Sequence, residues 1–394
     1  MIRPAIRHGG WLLVVAYLGF IGLGLPDGLL GVAWPSVRAE FGLAHGWLGS
    51  VLLASGIGYA LASFHAGWLI RRLGVGGLLA GSSLLMVLAL AGYAVSPQWW
   101  IFVIFGLAAG AGGGAIDAGL NLYAANQFSP RHMNWLHACW GLGAMLGPLA
   151  ITEVLRQGLS WRVAYGLLAA LLLGLSLIFV ATRRAWRTPQ AADEERLGAW
   201  VVLRHPLVLL QIGLYFVYTG IETVGGQWTY SLLVEGRGMA PVRAGYWVAG
   251  YWAALTLGRV GFGWAVERLD ADRLLRGALC GALLGALMLT LGRGWLAGVG
   301  LVLLGAMLAP VFPVLMSRTP ARLGAERAVH AVGFQVTAAM LGAVVIPTVT
   351  GMGITLTGGS LELVAGVALS LTVLLLAGHE LLLASTRGAP ARAG

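Results

Sequence analysis

Apolar residues run along this chain in long blocks, with no alternation of the kind a half-buried strand requires. Twelve blocks can be delimited, at 11–36, 45–70, 75–96, 98–126, 133–156, 160–182, 206–234, 241–267, 273–292, 294–317, 327–356 and 359–385. About twenty apolar residues in a helix cross a hydrocarbon core of roughly 30 Å, and barrel strands are about half that length. The pattern therefore predicts an all-α integral membrane protein with twelve transmembrane helices. Breaks fall where polar or helix-interrupting residues gather, as at Ser96-Pro97 and Ser129-Pro130-Arg131. The first block is too long for a cleavable signal peptide and lacks a small-residue cleavage site.

Composition agrees: 58% of the residues are hydrophobic, 10% are charged, and the mean hydropathy is +0.83. A soluble domain would be about a quarter charged. The net charge of +10 would suggest nucleic acid in a soluble protein. Here it reports orientation. All the Lys-or-Arg positions are Arg, and the inter-span loops divide them unevenly. One side has only Arg38, Arg156, Arg162, Arg237, Arg243 and Arg293, and Arg259 lies within a span. The other eighteen belong to the opposite side. The positive-inside rule then places both termini in the cytoplasm of a cell membrane, an inner membrane in a bacterium. Nucleic acid loses its support. Cys139 and Cys280 lie in apolar runs and suggest neither a disulfide framework nor a metal site.

The longest polar connection, around Asp193-Glu194-Glu195-Arg196, splits the chain six spans against six. The expected organisation is a bundle over 1–183, a cytoplasmic linker over 184–204 and a second bundle over 205–394. Gly67-Trp68-Leu69-Ile70-Arg71-Arg72-Leu73 after span two aligns with Gly263-Trp264-Ala265-Val266-Glu267-Arg268-Leu269 after span eight, at an offset of 196. Ala144-Met145-Leu146-Gly147 aligns with Ala339-Met340-Leu341-Gly342 at an offset of 195. Two matches at nearly one offset, in corresponding spans, indicate a duplication.

An ionisable residue inside a span is costly and marks a functional candidate. At 1.5 Å per residue, Asp117 is roughly 15 Å from Gln127 at the end of span four, and Asp27 roughly 16 Å from Arg38. Glu222 comes out central between Arg204 and Arg237. A carboxyl withdrawn from water can load and release a proton near neutral pH. Asn121 shares the Asp117 face at i+4, and Pro26 removes a backbone donor beside Asp27. His137 stands roughly 9 Å into span five, with Asn134 and Gly141 a turn away on either side. It could be a substrate donor, a proton relay or an interhelical contact. Gln227, Trp228, Tyr251, Trp252 and Gln335 are candidates for the second half of a binding site, since amides satisfy hydroxyls and rings cover C–H faces. Gln335 is the counterpart of Trp140 at offset 195. Arg259 is expected to partner the turn acids or carbonyls near the end of span eight. Gly112-Gly113-Gly114 is no phosphate loop, because no strand precedes it and no Lys-Ser/Thr follows.

Twelve spans in two parallel halves, with a Gly-x-x-x-(acid)-Arg turn after span eight and a variant of it after span two, resemble the major facilitator superfamily. The second-span copy has Arg71 where the acid usually stands. The resemblance implies two pseudo-symmetric six-helix bundles that alternate access by rocking, with Arg72, Arg259, Glu267 and Arg268 in the cytoplasmic gate. Three elements are similar to the fucose permease branch and its sodium-dependent glucose-transporter relatives. They are Gly24-Leu25-Pro26-Asp27-Gly28, the span-four stretch from Gly112 to Asn121, and the span-five stretch from Asn134 to Ala144. That resemblance implies proton coupling by Asp27 and Asp117, with sugar contacts from Asn121, Asn134, His137 and Trp140. His137 falls where sugar permeases usually carry Gln, and Trp140 where they often carry Asn.

The expected function is secondary transport of a small neutral polar solute, foremost a monosaccharide, coupled to protons. The alternatives are a proton-antiporting exporter of amphipathic compounds and a sodium-coupled sugar transporter. The proton or sodium is the coupling ion, and no cofactor or metal is expected. The partners are a small-molecule substrate and the bilayer, with no nucleic acid, and the chain is expected to function as a monomer. An enzyme is not expected, because the eight histidines are scattered and no nucleophile stands with a base. No nucleotide fold exists to drive transport with ATP, and the loops are short for a receptor.

Overall fold

A computed structural model of the chain describes residues 10–186, 199–266 and 268–387, with backbone alone at 130, 134, 263–266, 325 and 329. It divides into two compact units, Met1–Ala191 and Ala192–Gly394. In the first, α1 (Gly10–Phe41) passes through a 3-10 turn into α2 (Leu48–Val95), followed by α3 (Trp99–Gln127), α4 (Pro130–Arg156) and α5 (Trp161–Thr182). In the second, α6 (Ala199–Leu203) precedes α7 (Pro206–Ser231), which continues into a π-helical turn (Leu232–Gly236). Then come α8 (Pro241–Val266), α9 (Ala271–Leu291), α10 (Trp295–Leu308), α11 (Val311–Leu323), α12 (Ala325–Leu356) and α13 (Glu362–Arg387).

Ten helical segments among the described residues are long and apolar enough to cross a membrane. One of them, His45–Val95, holds 51 residues and makes two passes. Val51, Ser55 and Tyr59 follow α3 in one direction, whereas Tyr93, Met86 and Leu79 follow it in the other. The chain has therefore doubled back inside α2. The reversal sits at Gly74, whose φ of +71° is open to glycine and strained for other residues. The remaining pass is α8, 26 residues long but diluted by Arg243 and Arg259. Span ten is broken into α10 and α11 at Pro310 and runs to Leu323, six residues past its expected end. The expected linker is partly structured: α6 forms within it, and Val202 is buried against Val208, Leu323 and Ala331. Its stretch 187–198 lies outside the described residues.

The two units repeat one pairing plan. α1 packs on α4 as α7 packs on α12, and the first half of α2 packs on α3 as α8 packs on α10. The second half of α2 packs on α5 as α9 packs on α13. In a bilayer there is little hydrophobic gain in joining helices, so small residues that permit close approach carry the association. At the α1–α4 crossing, Gly24 faces the Trp140 carbonyl, Gly28 the Ala144 carbonyl and Gly143 the Ile21 carbonyl, each too close to admit a side chain. At the α2–α3 crossing, Gly58 and Gly110 face the Leu107 and Ser55 carbonyls in the same way. In the second unit Gly342 repeats the device against the Phe216 carbonyl.

Helix ends are tied by side chains. Ser160 Oγ accepts from the Arg162 amide at 3.2 Å, and Asp270 accepts from the Arg273 amide at 2.9 Å. Arg162 also joins Glu40 at 2.8 Å and donates to the Ala94 and Ser96 carbonyls. Gly28→Val, which drives a side chain into the Ala144 backbone, is expected to lose about 1–3 kcal/mol or more. Gly166→Ala, where a methyl group meets nothing within 4 Å, should be close to neutral. Thermal unfolding of the two purified variants in detergent checks the difference.

Candidate functional site

The glycine crossings of the first unit set side chains beside one another near the middle of their helices. On α1, Asp27 follows Pro26 and is exposed; one oxygen accepts from the Trp140 indole N–H of α4 at 3.1 Å. On α3, Asp117 accepts on both oxygens. Tyr59 donates its hydroxyl from α2 at 2.6 Å, and Asn121 donates its amide from one turn further along α3 at 2.9 Å. Gly114 makes the Tyr59 bond reachable, because its α-carbon lies against the Tyr59 backbone. His137 on α4 stands edge-on to Phe20, with ring centres 5.4 Å apart, and within electrostatic reach of Asp117. Asp27 and Asp117 are near enough to repel one another when both are ionised.

Five residues singled out from sequence thus converge: Asp27, Asp117, Asn121, His137 and Trp140. The donors on the two acids include neutral phenol, amide and indole groups, and His137 can bring positive charge. The arrangement can hold a proton on either acid, relieving the repulsion, and it presents N–H donors beside an aromatic ring. Tyr59 was missed by the sequence reading. It lies twelve residues from Arg71, roughly 18 Å along a helix, so the depth arithmetic that found Asp117 applies to it equally. The Asn134 side chain lies outside the described residues.

The second unit treats its acid differently. Glu222 on α7 is buried and receives Arg259 NH2 of α8 at 3.2 and 3.3 Å on its two oxygens. The same nitrogen lies 3.3 Å from the Tyr218 hydroxyl, and Tyr251 donates its hydroxyl to the Glu222 carbonyl at 2.9 Å. The Arg259 and Glu222 side chains are 21% and 10% exposed, so water screens the pair little. Arg259, expected to partner the turn after span eight, thus reaches Glu222 among the described residues. In that turn Arg268 is exposed, and Glu267 lies outside the described residues. Arg72 lies over the Trp68 ring at 4.4 Å.

The other candidates of the second unit are buried within it. Trp228 donates to the Pro347 carbonyl at 2.8 Å, and Trp252 packs its ring against Gly226. Gln227 is buried as well. Gln335 donates its amide to Gln211 and pairs with Thr319 at 3.1 and 3.2 Å. The structure does not bring Gln335 or Trp228 to the Glu222 group; both use their donors to fasten α12 to its neighbours. Among the described residues no three His, Cys, Asp or Glu side chains form a group able to hold a metal ion.

Residues 16–347 match the Major Facilitator Superfamily. The chain is 22% identical over 284 residues to Bypass of stop codon protein 6 of Saccharomyces cerevisiae, a match spanning 65% of this chain and 57% of that protein's length. It is 29% identical over 321 residues to an uncharacterised MFS-type transporter of Yersinia pestis, covering 80% and 82% of the two chains. It is 22% identical over 248 residues to a glucose/mannose transporter of Bacillus subtilis, covering 59% and 61%. The fold is similar to that of the E. coli fucose:proton symporter, with a TM-score of 0.63 and 16% identity over 95% of this chain and 99% of that one. It is also similar to that of the nucleoside transporter NupG, with a TM-score of 0.78 and 12% identity over 93% and 98%. With twelve helical passes, a repeated pairing plan and a family match across most of its length, this chain belongs to the Major Facilitator Superfamily and is a transporter rather than an enzyme.

Proposed function

We propose that the protein is a secondary active transporter of a small neutral polar solute, a monosaccharide, coupled to protons by alternating access. The observation that carries the reading is the pair of acids held by neutral donors: Asp117 between Tyr59 and Asn121, and Asp27 beside Trp140. A carboxyl held by neutral donors of this kind can take up and release a proton without stranding a counter-ion. Asp27 and Asp117 carry that proton. Asn121, His137 and Trp140 meet the solute, the indole ring covering a C–H face while amide and imidazole meet hydroxyls. Asn134 belongs to the same wall. Gln227, Tyr251 and Trp252 are the second unit's candidates, with Trp228 and Gln335 in supporting positions. Glu222 is assigned as the counter-ion of Arg259 and not as a proton carrier, because its two oxygens already face a guanidinium. Arg72, Glu267 and Arg268 belong to the gate. The arginine distribution supports cytoplasmic termini, and the transporter is assigned to the cell membrane as a monomer. The names of the glucose/mannose transporter and the fucose:proton symporter favour a sugar over other solutes.

Solid-supported-membrane recordings on proteoliposomes test the reading. Monosaccharides from a panel should evoke a pH-dependent current that Asp117→Asn abolishes. Silence with every sugar, together with proton release on adding a lipophilic cation, would favour an exporter instead.

The Glu222 assignment has its own test. Breaking a buried ion pair by removing one partner costs about 3–5 kcal/mol, so Glu222→Gln should lower thermal stability strongly. The double variant Glu222→Gln/Arg259→Gln should recover much of that loss while keeping a proton-dependent current. A double variant that is stable yet uncoupled from pH would return Glu222 to the proton pathway.

A further inference from the structure

Arginines are paired at most ends of the two bundles and differently treated at one. Arg162 holds Glu40 at 2.8 Å, Arg156 holds Glu153 at 2.7 Å, and Arg237 holds Glu362 at 2.5 Å. In the second unit Arg276 holds Glu380 at 2.5 Å, and Arg318 and Arg322 share Asp272. The end of the first unit where α2 reverses and α5 finishes carries Arg71, Arg72, Arg183 and Arg184, with Arg131 at the start of α4. No acid among the described residues stands there. From Phe41 to Trp186 the acids are Asp117, in the candidate site, and Glu153, paired to Arg156 at the opposite end.

At this arginine-rich end a groove of 710 Å³ lies between the second half of α2 and the last turn of α5. Arg183 and Arg184 lie at its rim; Arg184 is itself partnered, whereas among the described residues no acid or carbonyl holds the Arg183 guanidinium. Below the rim the surface is apolar. Gly77 and Gly81 make a floor without side chains, flanked by Leu84 and Val180. Gly81 and Leu84 are exposed along the flank of α2, so the groove opens sideways where acyl chains lie. Its walls are fixed. Gly76 lies directly against the Arg183 carbonyl, Ser83 and Ser176 are hydrogen-bonded at 3.0 Å, and the buried Trp186 donates to Thr182 at 3.0 Å. From Gly74 to Leu84 the groove runs about 15 Å along the helix.

An occupant must bring negative charge to the rim and an apolar body to the floor. A free anion would leave the floor empty, and Asp193, Glu194 and Glu195, next in sequence after α5, offer only charge to it. We infer that this groove binds one molecule of an anionic phospholipid. The phosphate sits on Arg183, and one acyl chain runs over Gly77 and Gly81 toward Leu84. Basic pockets between membrane helices recognise headgroups by this chemistry. The inference is independent of the transported solute and of the proton.

Gly81 supplies a clean test, because a β-carbon there meets no protein atom within 4 Å and a longer side chain would extend into the groove. The full chain, stripped of lipid in detergent, is titrated with phosphatidylglycerol, with phosphatidylcholine or with inorganic phosphate, and bound molecules are counted by native mass spectrometry. The expected result is one phosphatidylglycerol retained in preference to phosphatidylcholine and not displaced by phosphate. Arg183→Ala should bind it about fivefold more weakly, the loss expected of one basic residue at an anionic surface. Gly81→Leu should lose it at an unchanged melting temperature. Unaltered binding in both variants would overturn the site, as would equal retention of phosphatidylcholine. So would a marked gain of binding in Asp193→Asn/Glu194→Gln/Glu195→Gln, which would mean that the chain's own acids fill the groove.

Discussion

Close backbone approach at glycine is the constraint on which the rest of the molecule depends. A helix in hydrocarbon satisfies its own backbone, so its neighbours are chosen by fit and by the few polar bonds that cross between helices. At the crossing of α1 and α4, Gly24, Gly28 and Gly143 let the two backbones touch. That contact is what allows an indole on α4 to reach a carboxyl as short as that of Asp27. The α2–α3 crossing works in the same way: Gly110 and Gly114 bring α2 near enough for the Tyr59 hydroxyl to reach Asp117. Bulkier residues at either crossing would leave two acids in the membrane without their donors. The packing device and the polar site are one piece of architecture.

The duplication makes the chemistry of the two units comparable position by position. Asp27 and Glu222 stand 195 residues apart, the same offset that relates Trp140 to Gln335 and Gly147 to Gly342. Both halves thus carry an acid at this position, with different partners. In the first unit the span-five partner is an indole, which offers one neutral donor. In the second the corresponding Gln335 is bound to Gln211 and Thr319, and the acid is served by Arg259 from α8. A carboxyl with a neutral donor can change its charge without stranding a counter-ion, whereas one facing a buried guanidinium cannot. In the proposed reading the equivalent acids take different tasks, one exchanging a proton and the other holding two helices in register.

Much of this was legible in the sequence, and what was not shares a physical reason. The apolar blocks yielded the twelve passes, the offset matches yielded the duplication, and counting residues from the ends of the spans placed Asp27, Asp117 and Glu222 at depth. Such counting reports height along a helix and says little of direction around it. Height alone gives no sign that Arg259 reaches Glu222. Nor does it show that Gln335 and Trp228 use their donors for hydrogen bonds within their own unit. Tyr59 and Tyr218 drew no notice because a phenol is cheap enough in an apolar run to pass as packing, and its hydroxyl matters only once a carboxyl is known to lie across the crossing. The reversal at Gly74 was hidden for another reason: a single glycine with positive φ turns the chain without an intervening loop.

Trp140 connects the two tasks assigned to the first unit. Its indole N–H donates to Asp27, and in the proposed reading its ring also covers the solute. A hydrogen bond to an ionised acceptor is stronger than one to a neutral acceptor, so protonating Asp27 loosens the hold on the indole. The solute then meets a ring whose orientation depends on the charge of Asp27, and a ring fixed by the solute in turn changes how readily Asp27 gives up its proton. Such linkage is reciprocal by thermodynamic necessity. One side chain shared by acid and solute can couple them without any signal crossing the bundle, and the α1–α4 glycine contact, by fixing the separation of the two helices, decides how tightly.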